Sequence, residues 1–350
     1  MSGIKRIWAG SVSLLVAGVF TGCTSKPESG PTSGPVEGKT IQLLNVSNDP
    51  TRELWKELDE TFAGEYKSPN GGKVAIKQSH GGSSSQARAV IDGLDADLVS
   101  LAMWYDVDAI SRAGLISKSW EERLPNKSCP YNSLIVFVVR KGNPKQIKDW
   151  TDLAKDGVEV ITPNPKTSGN GKLSFLGAWG SVLKRGGNAD QAKELVSKLY
   201  AHTPVLDTAA RAATTTFAQK KIGDVHLTWE GEAHLEVQES KGELEIVYPP
   251  LTIKVDLPVA LVDTNVEKKG SGAAVDAFLR FLYTDKAQEI FAKHWYRPYK
   301  QEILAKHADS LPNVETFQLE DIEKSWDDAA AHFFAEGALF DQIYAEKAKK

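Results

Sequence analysis

The sequence predicts an α/β chain with parallel or mixed sheets. Short apolar, strand-like runs alternate with helical patterns along most of its length. Two glycine-rich loops each stand between a strand-like run and an amphipathic helix, Ser79-His80-Gly81-Gly82-Ser83-Ser84-Ser85 and Asn164-Pro165-Lys166-Thr167-Ser168-Gly169-Asn170-Gly171. Backbone N–H groups at such a loop and helix start point at one spot, and the helix dipole adds partial positive charge. The natural guest is a small oxyanion. Two such loops in one chain predict a shared anion site.

The elements follow in order. Lys5 and Arg6 precede an apolar run over residues 7–20, so residues 1–22 are a predicted signal peptide. Phe20-Thr21-Gly22-Cys23 resembles a bacterial lipobox, with Phe20 where Leu is usual, and assigns Cys23 as the lipidated residue. Residues 23–39 supply Ser, Gly, Pro, Thr and Glu, the composition of a flexible tether. Residues 41–46 are strand-like, and Asp49-Pro50 then gives an N-cap and a first-turn proline. The helix after them turns Leu54, Trp55, Leu58 and Phe62 to a core. Strand-like runs recur at 74–78, 98–101, 134–139, 158–161, 225–228, 245–248 and 259–262. Helical patterns fill most gaps, including 86–94, the face Leu173, Leu176, Trp179, Val182 and Leu183, and 189–200 and 273–282. A helical, aromatic tail with Trp326, Phe333, Phe334 and Phe340 is expected to pack back on the body.

Composition narrows the function. With 350 residues, about two domains are expected, each able to bury a core. Lys5 and Arg6 are the charged residues before Cys23, so losing that segment takes the net charge from −4 to −6. An acidic chain is a poor nucleic-acid partner. Cys23 and Cys129 are the two cysteines, and lipidation of Cys23 leaves Cys129 without a disulfide partner. The chain has no Gly-x-Ser-x-Gly elbow, and the seven histidines have no metal-ligand spacing. Gly169-Asn170-Gly171-Lys172 imitates part of a phosphate loop, but Lys166 and Leu173 break that motif. No enzyme activity, cofactor or metal is expected.

Five segments carry a family resemblance: Asn48-Asp49-Pro50-Thr51-Arg52-Glu53-Leu54, Gln78-Ser79-His80-Gly81-Gly82-Ser83, Arg140-Lys141-Gly142-Asn143-Pro144-Lys145, Ile161-Thr162-Pro163-Asn164-Pro165-Lys166-Thr167-Ser168-Gly169, and Trp295-Tyr296-Arg297-Pro298. Together they resemble the periplasmic sulfate-binding proteins of bacterial ABC importers, from about residue 41 to 342. The resemblance implies a type II periplasmic binding-protein fold, two α/β lobes joined by two crossover strands. Residues 40–133 plus 245–350 would form lobe one and residues 134–244 lobe two. The runs at 134–139 and 245–248 would be the crossovers.

The resemblance also implies the ligand contacts. They fall on the backbone of Ser83, the hydroxyl of Ser168, the amides of Gly169, Asn170 and Ala210, and the indole of Trp229. His80, Gly81, Gly82 and Arg211 would support the loops. Gly169-Asn170-Gly171-Lys172 stands where the family often has Gly-Gly-Ala-Arg, and Thr208-Ala209 where it commonly has Ser-Gly. Sulfate is ionised at neutral pH and only accepts hydrogen bonds, so a site of donors suits it. Protonated phosphate would leave its own donor unpaired there, at a cost of about 1–3 kcal/mol. The implied partners are sulfate or thiosulfate, the importer's permease subunits, and the membrane through the lipid alone. A monomer outside the cytoplasm is expected.

Overall fold

The computed structural model describes residues 38–68 and 71–347, with two sheets among them. The predicted signal peptide, most of the tether, and Cys23 lie outside the described residues.

The smaller sheet contains β1 (Ile41–Asn48), β2 (Val74–Gly81), β3 (Leu98–Ser100) and β10 (Val259–Leu261) in the order β10-β3-β1-β2. β1 runs parallel to β2 and β3, while β10 is antiparallel to β3. The β1–β2 register sets Asn48 opposite Gly81, so the carboxyl end of β1 lies beside the first glycine loop. The expected helix start at Asp49 takes a tighter form. Asp49–Thr51 is one 3-10 turn with Asn48 at its N-cap, and the α-helix itself is Arg52–Glu65.

The larger sheet is built on β4 (Tyr131–Arg140), with β5 (Val160–Pro163), β6 (Leu206–Asp207), β7 (Val225–Trp229), β8 (Leu244–Val247), β9 (Leu251–Leu257), β11 (Arg297–Pro298) and β12 (Glu315–Phe317). Its main path is β12-β9-β4-β7-β5-β6, and β8 and β11 pair with β4 off that path. Alternation along β4 sends Ile135, Phe137 and Val139 to one core and Leu134, Val136 and Val138 to another. That is why its sequence is a continuous apolar run: both faces are covered.

β4 and β9 tie the two halves together. Tyr131 and Leu257 belong to the core beneath the smaller sheet, whereas Ile135, Phe137, Ile253 and Val255 belong to the larger sheet's core. The two strands pair antiparallel, Tyr131 against Leu257 and Leu134 against Lys254. The second crossing therefore runs over Leu251–Leu257. The run expected there, 245–248, falls in and just after β8, which stays within the larger sheet on β4. The signal for β9 was present in the alternating Leu251, Ile253, Val255 and Leu257.

Residues 245–350, expected in one lobe, divide between the cores. Val259, Phe278 and Phe291 pack beneath the smaller sheet. Phe317, Phe333, Phe334, Phe340 and Ile343 pack with Trp150, Phe175 and Trp179 of the larger one. β12 causes this by pairing in parallel with β9 and returning the chain to that sheet. Phe333 then sits 5.3 Å from Phe175 and 5.0 Å from Trp179 between ring centroids. Burying each such ring contributes about 1.5–3 kcal/mol. Among the described residues, no helix is long and apolar enough to cross a membrane.

Candidate functional site

The carboxyl ends of strands from both sheets meet at one cavity. β2 leads through Gly81 and Gly82 into the helix Ser83–Ile91, and β5 leads through the Asn-Pro-Lys loop into the helix Gly169–Lys184. Parallel pairing makes this a property of topology, since parallel strands all end on the same edge. β6 feeds the short helix Ala210–Thr214, and β7 ends at Trp229, the N-cap of the helix Glu230–Glu239.

All six expected contact residues, Ser83, Ser168, Gly169, Asn170, Ala210 and Trp229, line this small, tightly closed-in cavity, together with Gly81 and Gly82. Ser83, Ser168, Asn170, Ala210 and Trp229 are each no more than 2% exposed. The backbone N–H groups of Ser83, Gly169, Asn170 and Ala210 lie in the first turns of their helices, where a helix offers them no acceptor. The loops touch closely enough to demand glycine. A Cβ on Gly82 would stand 2.4 Å from the Thr167 carbonyl, and one on Gly169 would stand 2.6 Å from the Ala102 Cβ.

The serines divide their work. Ser168 caps the second loop's helix, its Oγ lying 3.5 Å from the Gly171 N–H it accepts from. That leaves its hydroxyl proton for another acceptor. The Ser83 hydroxyl is already used: it donates to the Asp106 carboxylate and accepts from the Ala102 N–H at 3.0 Å. Ser84 Oγ donates to the other Asp106 oxygen at 2.8 Å, and Lys172 reaches Ser84 from the facing loop at 2.5 Å. Burial lowers the Lys172 pKa, with the Asp106 charge acting against that shift.

Two of the departures from the family pattern, Asn170 and Lys172, have structural roles. Asn170 donates from Nδ2 to the Leu227 carbonyl at 3.0 Å, tying its loop to the strand that presents Trp229. Lys172 spans the loops through Ser84, where a planar guanidinium would stand in the common pattern.

His80 does not line the cavity. Its Nε2 pairs with the Gln78 side chain, and burial, followed by the Arg52 charge, holds its imidazole down to about 4. It is a neutral ring at the sheet edge. Arg211 also works behind the site. Its N–H donates to Asp49 Oδ2 at 3.1 Å, its guanidinium bonds Glu53 at 3.0 and 3.3 Å, and its Nε lies 2.9 Å from Glu232 Oε1. Burial is the main cause that raises Glu232 to about 7, against the Arg211 charge and a Thr214 hydrogen bond. Arg297 makes a bidentate pair with Glu230 at 2.7 Å for each bond, fixing the helix that follows Trp229 to β11.

Sequence reasoning missed four lining residues: Asn48, Asp49, Pro50 and Ala102. Asp49 brings a carboxylate to a site expected to hold donors, but both its oxygens are engaged, one by Arg52 and one by the Arg211 N–H. These positions follow from the register of β1 beside β2 and β3, which is not local in sequence. Cys129 lies elsewhere, buried, and burial pushes its thiol up. Among the described residues, no group of three or more His, Cys, Asp or Glu is placed to hold a metal.

Known proteins resemble this chain along most of its length. The family model for bacterial extracellular solute-binding proteins matches residues 43–297. A thiosulfate-binding protein of Pseudomonas aeruginosa is 47% identical over 98% of this chain and 99% of its own. A sulfate-binding protein of Escherichia coli is 49% identical over 88% of this chain and 94% of its own. The solved structure of the sulfate-binding protein SubI from Mycobacterium tuberculosis superposes with a TM-score of 0.75 at 31% identity, covering 85% of this chain and all of that one.

Proposed function

The chain belongs to the bacterial extracellular solute-binding protein family, and from that premise we propose that it captures sulfate in this cavity and delivers it to the permease of an ABC importer. The observation that carries the reading is that Ser83, Ser168, Gly169, Asn170, Ala210 and Trp229, which own helix-start amides, a hydroxyl and an indole N–H, line one buried space. Helix N-termini stabilise a dianion through oriented N–H dipoles. Thiosulfate, of the same charge and shape with one larger sulfur, is the runner-up ligand, since relatives named for thiosulfate and for sulfate match at similar identity.

In this reading the protein is a binder and not an enzyme. His80 pairs with Gln78 instead of activating a serine. The lobes are residues 40–133 with 258–311, and 134–250 with 315–347; β4 and β9 are the hinge. Core membership supports this division, with Ala102 and Met103 as first-lobe residues that pack into the larger sheet's core. The mature protein is a periplasmic or otherwise extracytoplasmic monomer, tethered by lipid on Cys23. Cys23→Ala would release it from the membrane fraction, and unchanged fractionation and mass would remove the lipid from the account.

Calorimetry of the purified protein with sulfate, thiosulfate, phosphate and molybdate tests the function. Sulfate should bind with an affinity that is flat from roughly pH 5 to 9, because neither the anion nor the donors titrate there. Phosphate should compete poorly. Strong phosphate binding would reveal an acceptor in the site and overturn the assignment.

A further inference from the structure

Asn48 stands at the carboxyl end of β1, where the strand turns into the Asp49–Thr51 helix. Asparagine is common at an N-cap because its side-chain oxygen accepts from the next turn. Here the side chain makes no capping bond. Its Oδ1 has one long contact, 3.5 Å from the Thr51 hydroxyl. That hydroxyl is better satisfied by the Asn48 carbonyl at 2.7 Å and by Ser47 at 2.6 Å. The side-chain amide is thus not needed to hold the turn.

The Nδ2 group is buried and, among the described residues, has no hydrogen-bond partner. The residue is 2% exposed, so bulk solvent scarcely reaches it. A buried amide donor left unpaired costs about 1–3 kcal/mol, and native structures rarely leave one so. Asn48 also lines the cavity, and the β1–β2 register places it directly across from Gly81.

Building on the proposed function, the geometry points to Asn48 as a further anion-binding and specificity-determining residue, whose side-chain amide donates to a tetrahedral dianion that carries no proton. The anion provides the acceptor that the protein does not. The residue adds a side-chain donor from the smaller sheet, opposite Ser168 and Trp229 on the larger one. A neutral amide N–H adds no titrating group, so it strengthens the bias toward anions that only accept.

Two variants test this by calorimetry with sodium sulfate, sodium thiosulfate and sodium phosphate, alongside anion-free thermal melts. Asn48→Ala removes the donor and should weaken sulfate binding about 10- to 100-fold, the loss of one charge-assisted hydrogen bond. Asn48→Asp keeps the shape and exchanges the donor for an anionic acceptor. It should weaken sulfate further and raise the ratio of phosphate to sulfate affinity, because the carboxylate can accept from a protonated phosphate oxygen. That ratio is read even if Asn48→Ala melts early, and a purely structural role would not move it. Wild-type sulfate affinity in Asn48→Ala, or equal losses for sulfate and phosphate in Asn48→Asp, would overturn the assignment. A wild type that binds none of the three anions would instead remove the proposed function, and this inference with it.

Discussion

The backbone N–H of Arg211 donates to the Asp49 carboxylate at 3.1 Å, joining the start of the helix Ala210–Thr214 to the turn that follows β1. The two residues are 162 positions apart and belong to opposite sides of the cavity. The Arg211 side chain extends the link, with Glu53 on one side and the buried Glu232 on the other. Closure of the site is thus joined by one residue whose main chain and side chain both take part.

Glu53 and Glu232 should differ sharply in weight. Glu53 is about half exposed, so Glu53→Gln should weaken sulfate binding by only a few-fold, in line with an exposed pair worth about 0–1 kcal/mol. Arg211→Met leaves Glu232 buried without its cation and should destabilise the fold by about 3–5 kcal/mol. Thermal melts and calorimetry on both variants check the order.

Trp229→Phe keeps the ring and deletes the indole donor, and Ser168→Ala does the same for the hydroxyl. Each should lower sulfate affinity about ten- to a hundredfold, the range for one charge-assisted hydrogen bond. Titration calorimetry reads the loss directly. Wild-type affinity in either variant would remove that group from the ligand shell.

Ser83→Ala is a different experiment. The hydroxyl bridges the Asp106 carboxylate and the Ala102 N–H, so its loss falls on the loop before it falls on the anion. The melting temperature should drop, corresponding to about 1–3 kcal/mol for a buried polar group left unpaired, while affinity drops less than in Trp229→Phe. A larger affinity loss than in Trp229→Phe would mean that the Ser83 hydroxyl touches the ligand.

Asp59 makes stability depend on pH. Burial raises it from 3.8 to about 8, and the hydrogen bond from Gln78 only partly offsets this. The folded state therefore holds the proton more tightly than the unfolded chain. The stabilisation is complete below the unfolded value near 3.8 and declines as pH rises toward 8. Melting temperature should fall across that window in the wild type and change less in Asp59→Asn. Equal slopes in the two proteins would show that Asp59 ionises freely in the fold.

Much of the site was legible because its parts are local. The two glycine loops, each with the strand before it and the helix after it, occupy the continuous stretches 74–91 and 160–184, whereas the roles of Ala210 and Trp229 came only with the family resemblance. The partners of the Ser83 hydroxyl were not legible, because Asp106 comes from the helix Trp104–Arg112 and Ala102 from the loop before it, both distant in sequence from the glycine loop. Asn48 and Ala102 reach the cavity only through the pairing of β1 with β2 and β3. The tail's placement depended on β12, a strand of three residues whose partners are 64 positions earlier. Short elements that owe their form to a distant neighbour leave little local trace.

The near-touching of Gly169 and Ala102 makes the cavity a size gauge. A methyl group added to the glycine would already collide with the alanine, so the jaws have no slack at that point. A guest bulkier than the cavity would hold this contact open and leave the Arg211 link stretched. Under the proposed function, a partner that senses only whether these two loops meet would tell a fitting guest from a bulkier one.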